Sequence, residues 1–277
     1  MRLPTISIVT PSFNQGQFLE ETIQSVLSQD YDGLEYFVID GGSTDNSVDI
    51  IKKHEDRLTY WVSEPDRGQS HAINKGFGRA SGEILAWLCS DDTYYPGTLN
   101  TVGRFFRQHP EVDVIYGDAT AIDENSHVFA ATRSLGFSLL GLLSRGTTIP
   151  QPASFFRRSI LDQVGSIDEA IDYCMDYEFY VRVAIAGFKF ERIPQTLATY
   201  RYHAASKTVS GKSENNRHNE AMEQHQAKYA QGRYSVNTLK MAFRLFKLKR
   251  MLFNIDRYWI YRSHYWQQLA KKKKINI

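Results

Sequence analysis

Two adjacent acidic residues, Asp91 and Asp92, follow the mostly apolar run from Glu83 to Cys89 after a single serine, Ser90. That run predicts a buried strand, so both carboxylates lie near its carboxyl end. Two like charges this close repel each other unless they share a proton or a cation. A hard divalent metal that also binds phosphate oxygens could supply the cation. The pair therefore predicts a site for a metal and a phosphate group.

Two more apolar runs also end in polar, turn-forming residues. Ile6–Thr10 is followed by Pro11-Ser12-Phe13-Asn14, and Tyr36–Ile39 by the stretch Asp40–Asp45. In open α/β sheets ligands bind beyond the carboxyl ends of the strands, so the three endings predict one shared cleft. Each ending alone could instead cap the following helix, because Asp, Ser and Gly favour that position. Three together favour a site.

The elements that would position these residues alternate between strand and helix up to about Gly117. This alternation predicts an α/β fold with a mainly parallel sheet and helices on its faces. We predict strands at 6–10, 36–39, 58–63, 83–89 and 112–116, and helices at 18–27, around 48–51, at 69–80 and at 96–108. Asn14 is predicted to cap the first helix.

The pattern changes after Gly117. Residues 119–122 and 128–132 flank the turn-forming stretch Asp123–Ser126 and predict a hairpin. Further strands are predicted at 153–157, 188–193 and 197–202, and helices at 159–164 and 177–186. Residues 134–150 have no clear period and predict either a loop or a short helix over the cleft.

The composition is that of an ordinary soluble protein of 277 residues. No apolar run approaches the roughly 18 residues that a membrane-spanning helix needs. The N-terminus has no signal-peptide pattern, which predicts a cytoplasmic location. The two cysteines, Cys89 and Cys174, lie in or beside apolar segments and are predicted to be reduced thiols.

Charge is distributed unevenly along the chain. From Tyr234 onward there are eleven Lys or Arg residues and one acidic residue, Asp256, whereas the rest of the chain is acidic. We expect the acidic body and the basic tail to face different partners. Nucleic acid is not among the expected partners, because no recognised nucleic-acid-binding module accompanies the tail.

The chain from about Glu214 onward is predicted to be helical. One side of the predicted helix is apolar, with Leu239, Ala242, Phe243, Phe246 and Phe253. Another side is basic, with Lys240, Arg244 and Lys247. Aromatic residues and lysines follow at 258–274. Such a helix suits an anionic membrane surface. It could equally pack on its own domain or form a homodimer.

Several of these runs together resemble a known family. They match the family 2 glycosyltransferases of the GT-A fold in order and spacing over about residues 4–205, at Ile6–Asn14, Asp40–Asp45, Glu64–Gln69, Asn74–Gly76, Ser81–Glu83 and Ser90–Asp92. The resemblance implies a GT-A domain at 1–210, with a Rossmann-like nucleotide-sugar half (1–117) and an acceptor half (118–210). We predict that a C-terminal helical, basic and aromatic extension occupies 211–277.

The resemblance also implies a nucleotide-sugar donor, with uridine favoured as the base, and a divalent cation, Mn²⁺ or Mg²⁺. Roles carried over from the family place Pro11 and Ser12 against the nucleotide, Asp40 on the base, Asp91 near the ribose or the metal, and Asp92 on the metal. Arg67 and Gln69 lie in the stretch that faces base and phosphates in relatives. Arg67 could instead pair with Asp66 or Glu64.

The acceptor half resembles the family less closely. Gln151–Phe156 and Val164–Asp168 resemble the segment before the family's Glu-Asp motif, which reads Met175-Asp176 here. The resemblance makes Asp176 the candidate catalytic base, although an Asp at a helix start could simply be a cap. Because Met175 replaces the family's Glu, Asp172 or Glu178 could take over acceptor binding.

His203 resembles a family position where a His or Arg meets the diphosphate or the metal. A lone His is more often structural or solvated than a ligand, and a structural role for His203 is the alternative. Oxygen ligands at the site would favour Mg²⁺ or Mn²⁺ over zinc.

The implied reaction is metal-dependent, inverting transfer of a sugar from a UDP-sugar to a hydroxyl group. The acceptor would be a saccharide or a lipid-linked saccharide, in cell-envelope or polysaccharide biosynthesis, on the inner face of a membrane if the tail docks there. A sugar-phosphate nucleotidyltransferase would need a Gly-rich basic loop after the first strand, and Pro11–Asn14 is not one. A catalytically impaired nucleotide-binding or membrane-associated scaffold of the same fold is the alternative.

Overall fold

The structure, a computed structural model, describes residues 2–145, 149–207 and 217–254, without the side chains of residues 145 and 249–254. The strands are β1 (Ile6–Ser12), β2 (Leu34–Asp40), β3 (Tyr60–Ser63), β4 (Ile84–Trp87), β5 (Val114–Ile122), β6 (Val128–Thr132), β7 (Ser154–Arg157) and β8 (Phe190–Arg201). The helices are α1 (Gly16–Leu27), α2 (Ser47–Lys53), α3 (Gln69–Phe77), α4 (Thr98–Gln108), α5 (Leu139–Arg145), α6 (Ser159–Val164), α7 (Met175–Ile185), α8 (Arg217–Ala230) and α9 (Val236–Asn254).

The first four strands form the parallel part of one sheet. Strand β1 pairs in parallel with β2 and β4, and β2 pairs in parallel with β3. Helices α1, α2 and α3 connect these strands in chain order, as right-handed strand–helix–strand units require. The predicted α/β class, with its mainly parallel sheet and flanking helices, is confirmed. The carboxyl ends of β1, β2 and β4 lie at one edge of the sheet.

The last four strands extend the same sheet. Its order is β3-β2-β1-β4-β7-β5-β6, and β8 pairs with β5. Strand β7 is antiparallel to both β4 and β5, whereas β8 is parallel to β5. The predicted halves, 1–117 and 118–210, therefore share one sheet, and their division stays a prediction about function.

Two predicted strand breaks are wrong. Predicted strands 112–116 and 119–122 form the single strand β5, and predicted strands 188–193 and 197–202 form β8. The register between β5 and β8 shifts around Asp118. This irregular pairing lets both strands continue through the polar residues at which we predicted them to end. Gly117 permits the close approach, because a Cβ atom there would lie 2.6 Å from the backbone oxygen of Gln195.

Apolar side chains cover both faces of the sheet. Ile6 and Ile8 of β1 belong to a buried cluster that includes α1 and α4, whereas Val9 belongs to a second cluster that includes α3 and α7. Successive side chains of a strand point to opposite faces, which explains why neighbours in β1 join different clusters.

Trp87, the last residue of β4, holds α7 against the sheet. Its ring stacks on Tyr180, with centroids 6.2 Å apart and planes 15° apart. The rings of Phe156 and Phe179 meet it edge-on, at 6.4 and 6.2 Å. Aromatic contacts of this kind add to the stabilisation from burial. The strand that leads to Asp91 is thereby fixed to the helix that carries Asp176.

The described part of the C-terminal segment, residues 217–254, consists mainly of two helices, as predicted. Helix α8 contacts α5 and α7, and α9 contacts α5. Of the two alternatives predicted for residues 134–150, a loop or a short helix, the structure has a short helix, α5. No helix in the described ranges is both long and apolar enough to cross a bilayer. The Phe253 side chain and the residues predicted at 258–274 lie outside what the structure describes.

We expect Gly117→Ala to lower the free energy of unfolding by about 1–3 kcal/mol, because the added methyl group would meet backbone that cannot rotate away. Urea unfolding measures the change. Gly136→Ala is the control, since no heavy atom of the described chain lies within 4 Å of its added Cβ. Equal stability of the two variants would contradict the close packing of β5 on β8.

Candidate functional site

Three potential metal ligands lie together after β4. The Sγ atom of Cys89 and carboxylate oxygens of Asp91 and Asp92 are all within 4.8 Å of one another. Asp92 is 7% exposed, and its N–H donates to the Cys89 carbonyl oxygen at 3.0 Å. Burial, and then the charge of Asp91, raise the pKa of Asp92 well above its usual range. The backbone N–H and the charge of Arg201 oppose this rise without cancelling it, so the surroundings still disfavour an ionised Asp92.

Arg201, at the end of β8, holds this pair in place. Its backbone N–H donates to Asp92 Oδ1 at 2.9 Å, and its Nε donates to the Asp91 carbonyl oxygen at 2.8 Å. The guanidinium also reaches Glu21 of α1 at 2.6 Å, and both the Asp123 carbonyl oxygen and Ser126 Oγ in the β5–β6 turn. Arg201 is 4% exposed. It joins three separate segments around the acidic pair.

His203 lies beside Asp91. Its Nε2 is 2.9 Å from Asp91 Oδ2, and its ring lies on Phe18, with centroids 4.7 Å apart. The structure thus brings the predicted ligands Asp92 and His203 to the same place, with Asp91 next to both. Metal binding by His203 stays a prediction, because the ring is already paired with Asp91.

Asp40 orders the turn that follows β2. Its two oxygens accept hydrogen bonds from Gly42 N–H at 3.1 Å, Ser43 N–H at 2.8 Å, Ser43 Oγ at 2.6 Å and Ser63 Oγ at 2.7 Å. Its side chain is fully buried. The carboxylate that we predict to bind the base is thus occupied by its own loop, and base binding by Asp40 stays a prediction.

The end of β1 carries a hydroxyl group without a partner. Pro11 and Ser12 lie opposite Ile39 and Asp40 of β2. Ser12 is 4% exposed, and among the described residues nothing hydrogen-bonds its Oγ. A buried hydroxyl without a partner costs free energy unless a ligand or water completes it. This observation favours the predicted ligand contact at Ser12.

Asn14 does not cap α1, so that prediction is wrong. The helix begins at Gly16, whose N–H donates to Asp45 Oδ2 at 2.9 Å. Asn14 has a left-handed φ of 50°, and its Oδ1 accepts the Thr44 N–H at 2.8 Å. This geometry turns its side chain to the loop after β2. The loops that follow β1 and β2 are thereby tied together.

Gln69 and Arg67 lie at different distances from the acidic pair. Gln69, the first residue of α3, donates from Nε2 to Cys89 Sγ at 3.1 Å, which places it at the cluster. Arg67 is exposed and donates to Glu169 Oε2 at 2.5 Å. The expected alternative partners of Arg67, Asp66 and Glu64, are wrong, because the loop between α6 and α7 brings Glu169 closer.

Asp176 lies in the first turn of α7. Burial raises its pKa, and the N–H groups of Tyr177 and of Asp176 itself oppose that rise. The helix N-cap residue is Cys174, so Asp176 is not the cap. The thiol of Cys89 has a pKa raised by burial and then by the charges of Asp92, Asp91 and Asp176. Ser70 of α3 contacts Met175 in the first turn of α7, and its neighbour Gln69 contacts Cys89, so the turn that carries Asp176 lies beside the segment of the acidic pair.

The two carboxylates considered as substitutes for the family's Glu have different surroundings. Glu178 is 2% exposed, accepts two bonds of 2.9 Å from Arg182 Nε, and accepts the Tyr229 hydroxyl. It is therefore committed to the contact between α7 and α8. Asp172 is exposed and pairs with Lys207 at 2.7 Å. Met175 is buried, and Ser70 Oγ donates to its sulfur at 2.8 Å.

Comparison with known proteins decides the family. The family model for Glycosyl transferase family 2 matches residues 7–165, more than half of the chain. The chain belongs to this glycosyltransferase family. An uncharacterized glycosyltransferase of Mycobacterium tuberculosis is 34% identical over 184 residues, which are 66% of this chain and 70% of that protein. One from Rickettsia typhi is 30% identical over 221 residues, 74% of this chain and 66% of that protein.

Two solved structures share the fold of this glycosyltransferase. TarS 1-349 from S. aureus, in complex with UDP-GlcNAc, superposes with a TM-score of 0.68 at 17% identity, covering 90% of this chain and 73% of that one. The mannosyltransferase PcManGT from Pyrobaculum calidifontis, in complex with GDP-Man and Mn²⁺, gives a TM-score of 0.58 at 17% identity, covering 95% and 83%. These likenesses confirm the GT-A architecture.

The ligand set after β4 fits a divalent cation. Asp92 Oδ1 receives the Arg201 N–H, whereas no donor among the described residues reaches Asp92 Oδ2. Two adjacent carboxylates supply the hard oxygen ligands that Mg²⁺ and Mn²⁺ prefer. A cation between Asp91 and Asp92 would also relieve the repulsion that raises the pKa of Asp92.

Sequence reasoning missed two structural roles at this site. Arg201 lies in the predicted strand 197–202, but nothing in its local pattern indicates partners 75 to 180 positions away in the chain. Cys89 was predicted only to be a reduced thiol, yet its sulfur lies within the ligand cluster. Its place two residues before Asp91 is the one sequence signal that could have indicated this.

We expect Asp92→Asn to stabilise the metal-free protein at neutral pH. The folded-state pKa of Asp92 is raised, so at a pH above its unfolded value of 3.8 the ionised side chain disfavours the fold, and a neutral amide removes that penalty. Thermal unfolding with a chelator present measures this. With Mn²⁺ present, we expect metal affinity to fall by at least about 10- to 100-fold. A variant that is less stable without metal, or binds it normally, would contradict the ligand assignment.

We expect Arg201→Lys to lower the free energy of unfolding by about 1–3 kcal/mol, because one ammonium group cannot replace the guanidinium bonds to three segments. Urea unfolding provides the measurement. Arg67→Lys, on an exposed ion pair, is the control and should change stability by less than about 1 kcal/mol. Equal losses of stability in Arg201→Lys and Arg67→Lys would argue against a role for Arg201 in holding the three segments together.

Proposed function

We propose that this glycosyltransferase transfers a sugar from a UDP-sugar to an acceptor hydroxyl, with inversion at the anomeric carbon and with a bound divalent cation. The observation that carries the proposal is the convergence of Asp91 and Asp92 with Asp176 at one edge of the sheet. That edge also holds the unpartnered hydroxyl of Ser12. A donor diphosphate, a cation and an acceptor need such a set of groups together.

The donor would lie against the ends of β1 and β2. Pro11 and Ser12 would contact the nucleoside, with Ser12 Oγ completing its hydrogen bonding on the ligand. Asp40 would bind the base through the loop that it orders, or directly after rearrangement. Gln69 and Arg67 would lie toward the phosphates. Uridine is favoured because TarS structures contain UDP and UDP-GlcNAc, although GDP-Man in PcManGT keeps guanosine as the alternative.

Asp92 and Asp91 would hold the cation, Mn²⁺ or Mg²⁺, with His203 as a further ligand after release from Asp91. When bound, the cation supplies a Lewis acid for the diphosphate leaving group. Arg201 keeps Asp91 and Asp92 at fixed positions, so they need no rearrangement as negative charge develops on the leaving group.

Asp176 would act as the base. The acceptor hydroxyl has a pKa far above neutrality and must lose its proton as it bonds to the anomeric carbon. A carboxylate on the side opposite the leaving group can take that proton, which accounts for inversion in one displacement. Burial raises the pKa of Asp176 and so makes its carboxylate a stronger base.

The acceptor would be a saccharide or a lipid-linked saccharide in cell-envelope or polysaccharide biosynthesis. Glu178 is unsuited to bind it, because Arg182 and Tyr229 already surround its carboxylate. Asp172 is exposed and is the better candidate for an acceptor contact. The buried Met175 favours a second possibility, a scaffold of the same fold that binds nucleotide without efficient transfer.

The decisive experiment incubates the wild-type protein with radiolabelled nucleotide-sugars and Mn²⁺ and measures release of nucleoside diphosphate. Slow hydrolysis of one donor would support the enzyme, since it needs no added acceptor. A donor that raises the melting temperature but never turns over would support the scaffold. Failure of every donor to bind would overturn both.

We expect Asp176→Asn to lower kcat about 10²- to 10⁴-fold with donor affinity unchanged, because the amide cannot accept the proton. Only the ionised carboxylate is active, so wild-type kcat should rise with pH through the raised pKa of Asp176, and the variant should lack that rise. Initial rates across pH and thermal shift with donor are the measurements. Asp162→Asn, at an exposed position of α6, is the matched control and should leave kcat unchanged. Normal turnover by Asp176→Asn would remove the base assignment.

A further inference from the structure

Helix α9 has two apolar faces. The predicted apolar face, which includes Leu239, Phe243 and Phe246, is partly buried and lies toward α5; a Cβ atom on Gly141 of α5 would be 3.6 Å from the Phe246 ring. The second face was not predicted. It is formed by Met241, Leu245 and Leu248, which are 61%, 56% and 52% exposed.

These three exposed residues form one stripe. Their spacing of four and three positions places them within an arc of about 60° on a helix. Single exposed apolar side chains are normal on a protein surface, but a stripe on one helix face indicates a binding surface. Among the described residues only three other large apolar side chains are similarly exposed, at Phe13, Val128 and Val236.

Three cations flank the stripe. Lys240, Arg244 and Lys247 are all exposed and lie along one side of it. In the described part of the chain, none of the three pairs with a carboxylate within 4.0 Å, and residues 236–248 contain no acidic side chain. The sequence from 255 to 277 adds six Lys or Arg residues, one Asp and five Tyr or Trp residues. The partner of this surface must therefore be apolar and negatively charged.

We propose that this α9 surface, Met241, Leu245 and Leu248 with Lys240, Arg244 and Lys247, docks on an anionic lipid bilayer. A straight apolar stripe with a basic margin inserts at the boundary of acyl chains and headgroups. The basic side chains lie near the anionic headgroups, each contributing to binding. A second copy of the chain is a poorer partner, because a two-fold contact would bring the same three cations of each copy together.

The position of α9 agrees with a lipid-linked acceptor. Helix α9 packs on α5, and α5 packs on α7, whose first turn holds Asp176. Docking through α9 would hold the acceptor half near the membrane. The docking proposal does not depend on sugar transfer, since it concerns a surface away from the acidic pair.

Flotation of the full chain with lipid vesicles tests the proposal. We expect binding to vesicles with about 30% phosphatidylglycerol, little binding to pure phosphatidylcholine, and weaker binding as salt rises above about 0.1 M. Replacing Lys240, Arg244 and Lys247 with Gln should weaken binding about 100-fold, at roughly 1 kcal/mol for each charge. Replacing Met241, Leu245 and Leu248 with Gln should weaken it at least about tenfold.

Val128→Gln is the matched control, because Val128 is as exposed as Leu248 but lies on β6. Its vesicle binding should equal that of the wild type, and circular dichroism should show all variants folded. The proposal is overturned if wild-type protein ignores anionic vesicles, or if both triple variants bind them normally, since residues after 254 would then account for binding. A different result would assign the surface to a second copy of the chain. In that case the wild type would be a dimer by light scattering and would not bind vesicles, and the apolar triple variant would be a monomer.

Discussion

Repulsion between two neighbouring carboxylates is the constraint on which the site depends. Asp91 and Asp92 follow a buried strand, and burial together with mutual charge raises the pKa of Asp92. Arg201 keeps them together by bonding to the backbone of Asp91 and the side chain of Asp92. Its other donors reach α1 and the β5–β6 turn, so one guanidinium bonds to three segments. Only a planar group with several donors can join them, which explains why Arg rather than Lys occupies this position.

The aromatic packing at Trp87 supplies the second requirement, a fixed distance between the acidic pair and Asp176. Trp87 ends β4 and contacts Phe179 and Tyr180 of α7. Interiors pack as densely as organic crystals, so α7 cannot slide on the sheet without opening cavities. The hydrogen bond that the Tyr229 hydroxyl donates to Glu178 ties α7 to α8 on the other side. The carboxylate of Glu178, one of the two considered as substitutes for the family's Glu, thus contributes to packing in this chain.

The parallel part of the fold could be predicted because its information is local. Apolar runs that end in Asp, Ser or Gly mark strands and their polar ends, and these placed Asp40 and Asp91 at one edge. The rest depends on contacts between distant residues. Gly117 suggests a break when read locally but permits β8 to approach, and Arg67 finds Glu169 rather than its neighbours in sequence. No periodic pattern around Arg201 indicates its contacts with distant segments, so its role could be recognised only in the folded structure.

Helix α9 is a second case in which local pattern is not enough. A sequence pattern reveals that a helix has apolar side chains, but it does not say which of two apolar faces the protein itself will cover. Helix α5 covers the face with Phe246 and leaves Met241, Leu245 and Leu248 exposed. Leaving these three apolar side chains in water costs free energy relative to covering them with an apolar partner. Since Lys240, Arg244 and Lys247 accompany the stripe, a partner that is both apolar and anionic accounts for both features at once.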